Sequence, residues 1–331
     1  MSELVSPLPQ RRPWRFAIGS ALALVLLGGV IGQGGLDGGS RAATSLRVSG
    51  LTLSTRPTPH SIPRRRVAGQ PPARSASSAP VIKAPSALLV DLSSGKVLFA
   101  KQPEERRPIA SLAKIMTALL VLERTKPDDM VVVSRRAAHT PPVVVGLVPG
   151  EQIQVQALLY GLLLRSGNDA AVALAEQVSG SERAFVQLMN DEAGRLGLED
   201  TRFTSPNGLN DGGYSTVRDL AKLTRIALAE PTFTQIVSTE QHWIPGPRRQ
   251  IHHLHNLNLL LGAYPGTFGV KTGYTRAAGD CVVGVARRGS QALLAIELGD
   301  APLTHWRDAY GDVIRLFTYG FVAARAGMTP Q

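Results

Sequence analysis

The chain has 331 residues, 44% of them apolar, and a formal charge of +11, which is enough length and apolar content for one large domain with a substantial core. Residues 1–80 hold ten Lys/Arg against Glu3 and Asp37, whereas residues 81–331 hold 26 basic and 23 acidic residues. The basicity therefore belongs to a tail poor in aromatics, the rest has an ordinary globular balance, and nucleic acid is not the expected partner. The single cysteine, Cys281, excludes an intrachain disulfide and a Cys-based zinc site. Within the apolar run of residues 281–285 it reads as a small buried strand residue.

In chain order, Arg11, Arg12 and Arg15 precede an uncharged apolar stretch at residues 16–31, the pattern of an export signal that places all later residues outside the cytoplasmic membrane. The glycine-rich exit at residues 34–39 offers no compelling small-x-small cleavage site, so residues 1–34 are expected to stay as a membrane anchor rather than release a secreted or periplasmic protein. Residues 35–80 are rich in Ser, Pro, Arg and Thr, cannot bury enough apolar area to offset the entropy of ordering, and read as a disordered tether. The run Arg64–Arg65–Arg66 within it reads as a solvated charge cluster.

The folded domain is expected at residues 81–325, followed by a short tail at 326–331. Alternating apolar residues at 87–92 and 96–100 around Ser93–Ser94–Gly95 describe a β-hairpin. Helical periodicity follows at 112–123, 154–164, 169–178, 182–196 and 216–229. Strand patterns return at 266–274, 280–287 and 292–298, and a helix closes the domain at 303–323. Strands at both ends with helices between them predict an α+β fold: an antiparallel sheet flanked by helices, with a mostly helical lobe inserted.

Three short motifs carry the chemistry. In Ser111–Leu112–Ala113–Lys114, at the start of a helix, the spacing of three puts both side chains on one face, where the helix N-terminus favours developing negative charge. Lys114 acts as a base only if burial or a neighbouring cation lowers its pKa. Alone, this tetrapeptide reads equally as a capping serine with a surface lysine. Ser166–Gly167–Asn168 falls at a break between helices, where a hydroxyl and an amide can project into a cleft or cap the next helix. Lys271–Thr272–Gly273 lies on a predicted strand. There successive side chains point to opposite faces, so one site uses both only through twist or a bulge, and Gly273 leaves room for a substrate along the strand.

Together the three motifs resemble the signature of penicillin-recognising serine enzymes. The match is closest to the low-molecular-mass D-alanyl-D-alanine carboxypeptidases, members of the β-lactamase/transpeptidase-like superfamily. It extends over roughly residues 85–325 and includes residues 91–98, Pro108–Ile109–Ala110–Ser111, Ser205–Pro206–Asn207–Gly208–Leu209, and Lys271–Thr272–Gly273–Tyr274–Thr275 with Ala278–Gly279. The resemblance implies Ser111 as nucleophile, Lys114 as its base and Ser166 as proton relay to the leaving amine. It also implies that Asn168 positions Lys114 and the substrate amide, and that Lys271 and Thr272 bind the substrate carboxylate. Gly273 and Tyr274 border the substrate strand, and the backbone N–H groups of Ser111 and Tyr274 form the oxyanion hole. The implied substrate is the peptidoglycan stem pentapeptide, with β-lactams as inhibitors, no cofactor and no metal, and membrane contact through the N-terminal segment.

Three alternatives differ in chemistry or class. A D,D-endopeptidase uses the same residues on crosslinks. A class A β-lactamase needs an acidic residue for deacylation in a Glu-x-x-Leu-Asn segment, where this chain has residues 201–207, Thr201 to Asn207, with no acid. A non-catalytic wall-binding protein has no need of three intact motifs. His252, His253 and His255 raise a zinc site, but their spacing suits a loop or strand edge better than a metal cage. Asn256 and Asn258, which recur near the third motif in the family, are expected at the rim of the cleft.

Overall fold

In the computed structural model, residues 79–300 and 307–325 are described, except 211, 248 and 249. The expected anchor, the tail and all but the last two residues of the tether lie outside them. In chain order the elements are β1 (Ser86–Asp91), β2 (Val97–Lys101), a 3₁₀ turn (Ala110–Ala113), α1 (Lys114–Arg124), β3 (Met130–Val132), α2 (Arg135–Ala138), β4 (Gln152–Gln154), α3 (Val155–Leu163) and α4 (Asn168–Ser179). They continue with α5 (Glu182–Arg195), α6 (Val217–Leu228), α7 (Pro231–Val237), β5 (Gln241–Pro245), β6 (Ile251–His255), α8 (Leu260–Ala263), β7 (Thr267–Thr275), β8 (Gly279–Arg288), β9 (Gln291–Asp300) and α9 (Arg307–Arg325).

Two tight hairpins organise the sheet. Asp91 Oδ1 accepts from the N–H groups of Ser93 (2.9 Å) and Ser94 (3.1 Å), an Asx turn that folds β2 back onto β1. Arg288 and Gln291 pair across the second turn, joining β8 to β9. Because β9 also pairs with β1, the two ends of the domain close one five-stranded sheet of order β2-β1-β9-β8-β7, antiparallel throughout. Leu88, Val90, Leu294 and Ile296 face the helical lobe; Ala87, Leu89, Leu293 and Ala295 face the layer of Val313, Leu316, Phe317 and Phe321 on α9. The inner strands therefore carry apolar residues at consecutive positions rather than at every second one.

Within the lobe, Ser181 and Thr216 accept from the N–H groups of Ala184 and Asp219 and so start α5 and α6. Lys114 to Val121 on α1 and Asn168 to Ala175 on α4 are buried without interruption, as befits helices at the centre of a layer. The fold is the expected α+β architecture. The three-residue strands β3 and β4, the β5–β6 ribbon and the short helices α2, α7 and α8 were not anticipated, since such lengths hold too few residues to show a period. Among the described residues no helix is long and apolar enough to cross a membrane.

A buried acid cluster lies where β8 and β9 meet α9. Glu297 is fully buried and neither of its carboxyl oxygens has a hydrogen-bond partner. Burial first, then Asp312, Asp300 and Asp280, push its pKa well above the usual carboxylate range. Burial and Asp300 raise Asp280 to about 6. Folding must hold a proton on Glu297 that the unfolded chain releases above about pH 4.5, so stability falls as pH rises from there towards the raised folded-state value. Glu297→Gln is therefore expected to raise stability by about 1–3 kcal/mol near pH 8 and to change little near pH 4. Thermal unfolding of both proteins at the two pH values checks this.

Candidate active site

Ser111 sits in the 3₁₀ turn that feeds α1, and Lys114 is the first residue of that helix. The Lys114 side chain is fully buried, and its Nζ lies 2.8 Å from Ser111 Oγ, 2.8 Å from Asn168 Oδ1 and 2.7 Å from the main-chain oxygen of Asn207. A neutral lysine amine has two N–H donors and one lone pair. The two oxygens that can only accept, on Asn168 and Asn207, take the donors, which leaves the lone pair to the Ser111 hydroxyl. Burial, reinforced by the charge of Lys271 and opposed by that of Asp169, holds Lys114 well below the ordinary lysine pKa. Serine and base thus come from one turn of sequence, while the groups that orient the base come from two distant segments.

Ser166 follows α3 in a left-handed backbone conformation, φ +60°, uncommon for a residue with a side chain. Its Oγ accepts from Lys271 Nζ at 3.0 Å, and the same Nζ donates to the main-chain oxygen of Thr272 at 2.8 Å. Lys271 is 1% exposed, and burial lowers its pKa to about 7. Two serine–lysine pairs, Ser111 with Lys114 and Ser166 with Lys271, therefore lie where the lobe meets β7. Asn168 Nδ2 donates to the main-chain oxygen of Pro141 at 2.9 Å, which assigns the amide and leaves Oδ1 for Lys114.

β7 is the edge strand of the sheet, so one side of its backbone has no strand partner among the described residues. The side chains of Lys271 and Thr272 leave it on opposite faces: Lys271 reaches Ser166, whereas Thr272 lies beside the Tyr310 phenol on α9. The register shift in β7 falls between Thr267 and Val270, before this pair. Tyr274, two residues on, is 55% exposed beside the cleft. Gly273 has a reason besides substrate access, because a Cβ there would stand 2.8 Å from Ser111 N and 3.2 Å from Ile109 O. Gly208, φ +78°, is tighter still: an added Cβ would lie 1.9 Å from Ala110 O. Both glycines let backbone press on the nucleophile turn from either side.

The three histidines do not converge. On β6, His253 and His255 point outwards, with ring centroids 4.1 Å apart, whereas His252 points inwards beneath Gly146. Asn256 and Asn258 spend their side chains on backbone: Asn256 donates to Val237 O and Thr239 O, and Asn258 caps the turn at Leu260. These bonds brace the approach to β7, because a chain leaving a two-stranded ribbon needs partners for its unpaired main-chain groups. Cys281 is fully buried on β8, its thiol pushed up to about 12, chiefly by burial. Two residues of the site were missed: Asn207, which works through its carbonyl, and Asp169, whose place in the first turn of α4 looks like an ordinary response to the helix dipole.

An antiparallel sheet with an inserted helical lobe, carrying a serine nucleophile against a buried lysine and a second serine against another, defines the β-lactamase/transpeptidase-like class of penicillin-recognising serine enzymes. Residues 73–301 match the family model described as D-alanyl-D-alanine carboxypeptidase, and the chain belongs to that family. It is 39% identical over 223 residues to D-alanyl-D-alanine carboxypeptidase DacF of Bacillus subtilis, a match covering 66% of this chain and 57% of that protein. To DacB2 of Mycobacterium tuberculosis it is 36% identical over 255 residues, covering 74% and 86% respectively. The chain thus spans little more than half of the first relative and most of the second. Among solved structures, the D-alanyl-D-alanine carboxypeptidase of M. tuberculosis superposes with a TM-score of 0.70 at 33% identity, covering 77% of this chain and 96% of that one. The Streptomyces K15 DD-transpeptidase superposes at 0.70 and 31%, covering 74% and 99%.

Proposed function

We propose that the protein is an exported serine D-alanyl-D-alanine carboxypeptidase that removes the terminal D-alanine from peptidoglycan stem pentapeptides. The observation that carries this reading is the Lys114 amine, buried, with its two N–H groups taken by Asn168 and Asn207 and its lone pair 2.8 Å from Ser111 Oγ. Ser111 Oγ attacks the penultimate D-alanine carbonyl while its proton passes to Lys114. The C–N bond then breaks, Ser166 relays a proton to the leaving amine, and water cleaves the resulting ester. Backbone N–H groups of Ser111 and Tyr274 stabilise the oxyanion, a contribution of about 3–4 kcal/mol for one such donor.

Lys271 supplies the cation for the substrate's terminal carboxylate, with Thr272 on the other flank of the same open edge. Asn168 holds the base and the substrate amide, and Gly273 and Tyr274 border the strand along which the peptide lies. β-Lactams acylate the same serine because they mimic the acyl-D-alanyl-D-alanine end. The N-terminal apolar segment holds the domain outside the cytoplasmic membrane, where this substrate is found. Incubation of the full-length chain with benzylpenicillin is expected to give a stable mass adduct that maps to Ser111, and a pentapeptide is expected to release D-alanine. No adduct on a folded protein that leaves the antibiotic intact sinks the reading; rapid destruction of the antibiotic points to a β-lactamase instead. Release from crosslinked dimers faster than from pentapeptide replaces carboxypeptidase by endopeptidase.

A further inference from the structure

Asp169 has no part in the chemistry above, yet its carboxylate is 1% exposed beside the site. Oδ1 accepts from the N–H groups of Val145 and Ala170, both at 2.9 Å, and Oδ2 from those of Gly146 (2.9 Å) and Leu147 (3.1 Å). Three of these four donors belong to residues 141–147, a strap between α2 and β4 that has no helical or strand ladder of its own. The strap is also tied to the residue next door. Asn168 N donates to Val143 O at 2.8 Å, and Asn168 Nδ2 donates to Pro141 O at 2.9 Å. Val145 packs onto the α3–α4 junction so closely that a Cβ at Gly161 or Gly167 would stand 2.6 or 2.7 Å from its Cγ2.

The amide of Asn168 has an oxygen and a nitrogen, and the bond from Nδ2 to Pro141 O, together with the Lys114 N–H that Oδ1 accepts, fixes the oxygen towards the base. If the strap moved away, the amide would keep only its bond to Lys114 and would lose the partner that holds its nitrogen away from the base. We propose that Asp169 is a positioning residue: its buried charge anchors the 141–147 strap, the strap orients the Asn168 amide, and the amide with that charge sets the state of Lys114. The charges nearest Lys114 are Lys271 on β7, which disfavours its proton, and Asp169 on α4, which favours it. Arg135 and Arg136 on α2, His139 after it and Arg165 after α3 are turned to solvent, where water screens them.

The inference rests on the serine–lysine chemistry proposed above, and its test is the pH profile of acylation by benzylpenicillin in the full-length chain. Asp169→Asn is expected to slow acylation by about 10- to 100-fold through misplacement of Asn168. It is also expected to move the acidic limb of the profile to lower pH, since losing the negative charge makes Lys114 release its proton more readily. Asp169→Glu keeps the charge, so its limb stays at the wild-type position even where the rate falls. An unchanged rate and limb in Asp169→Asn, or a slowed rate with the limb unmoved, overturns the proposal. Should Asp169→Asn fail to fold, amide hydrogen exchange in the wild type decides: protection of Val145, Gly146 and Leu147 as a group supports the anchor, and rapid exchange of all three overturns it. A wild type that is never acylated removes the serine–lysine reading, while the exchange experiment still reports on the strap.

Discussion

Replacing Ser111 by Ala is expected to leave the full-length chain folded and to remove both the penicillin adduct and D-alanine release, the latter by about 10⁴-fold or more. The hydroxyl makes one good contact, to Lys114 Nζ, and only a long one, 3.5 Å, to Asn207 O. Its loss therefore costs little packing, and the neighbouring lysine keeps its bonds to Asn168 and Asn207. In the proposed mechanism all covalent chemistry passes through that oxygen; among the described residues the other serine bonded to a buried lysine is Ser166, which accepts from Lys271, an amine that otherwise donates to one main-chain oxygen, that of Thr272. Intact mass after incubation with benzylpenicillin, alongside circular dichroism, checks the result. An adduct that survives in Ser111→Ala places the nucleophile elsewhere.

Lys114→Met is expected to slow acylation by about 10²–10⁴-fold, the range for removing a general base, with binding of the peptide weakened far less. Methionine has the length to fill the buried slot, so the loss is one of proton transfer, though the acceptors on Asn168 and Asn207 are left without a donor. Stopped acylation time courses at several inhibitor concentrations separate the two effects. The wild-type pH profile carries the same logic. Its acidic limb reports Lys114, which serves only when neutral. Under the proposed roles its alkaline limb is expected to report Lys271, which burial brings to about 7 in the free enzyme and which would bind a carboxylate only when charged. D-alanine release at low peptide concentration is accordingly expected to fall as pH rises through that value, and a carboxylate held there pulls the pKa of Lys271 back up. A flat alkaline side would mean that another group binds the carboxylate.

Much of the site was legible before any fold was known, and unevenly so. The contact of Ser111 with Lys114 follows from a spacing of three at a helix start. Gly273 was visible as a residue needed for room, but the structure adds a reason that the sequence did not show, the close approach of strand and serine turn. The opposite orientation of Lys271 and Thr272 follows from strand alternation, but the edge position of β7 in the sheet does not. Asp169 and the carbonyl of Asn207 stayed hidden because each acts through main-chain bonds that carry no residue signature of their own.

By itself the sequence determined what short-range geometry controls: hairpins with tight polar turns, capped helices at a period of 3.6, the serine–lysine pair one helical turn apart, and the order of elements that makes a sheet with an inserted lobe. Tertiary structure alone decided which distant groups meet. Lys114 reaches Asn168 across 54 residues and Asn207 across 93, and Lys271 reaches Ser166 across 105. The last of these meetings exists because β9 pairs with β1 and, through β8, brings β7 to the lobe, whereas the first two come from helix and loop packing around α1 inside the lobe. The same packing removes water from both lysines, and only desolvation in the finished fold, not any property of a lysine in a sequence, turns one of them into a base.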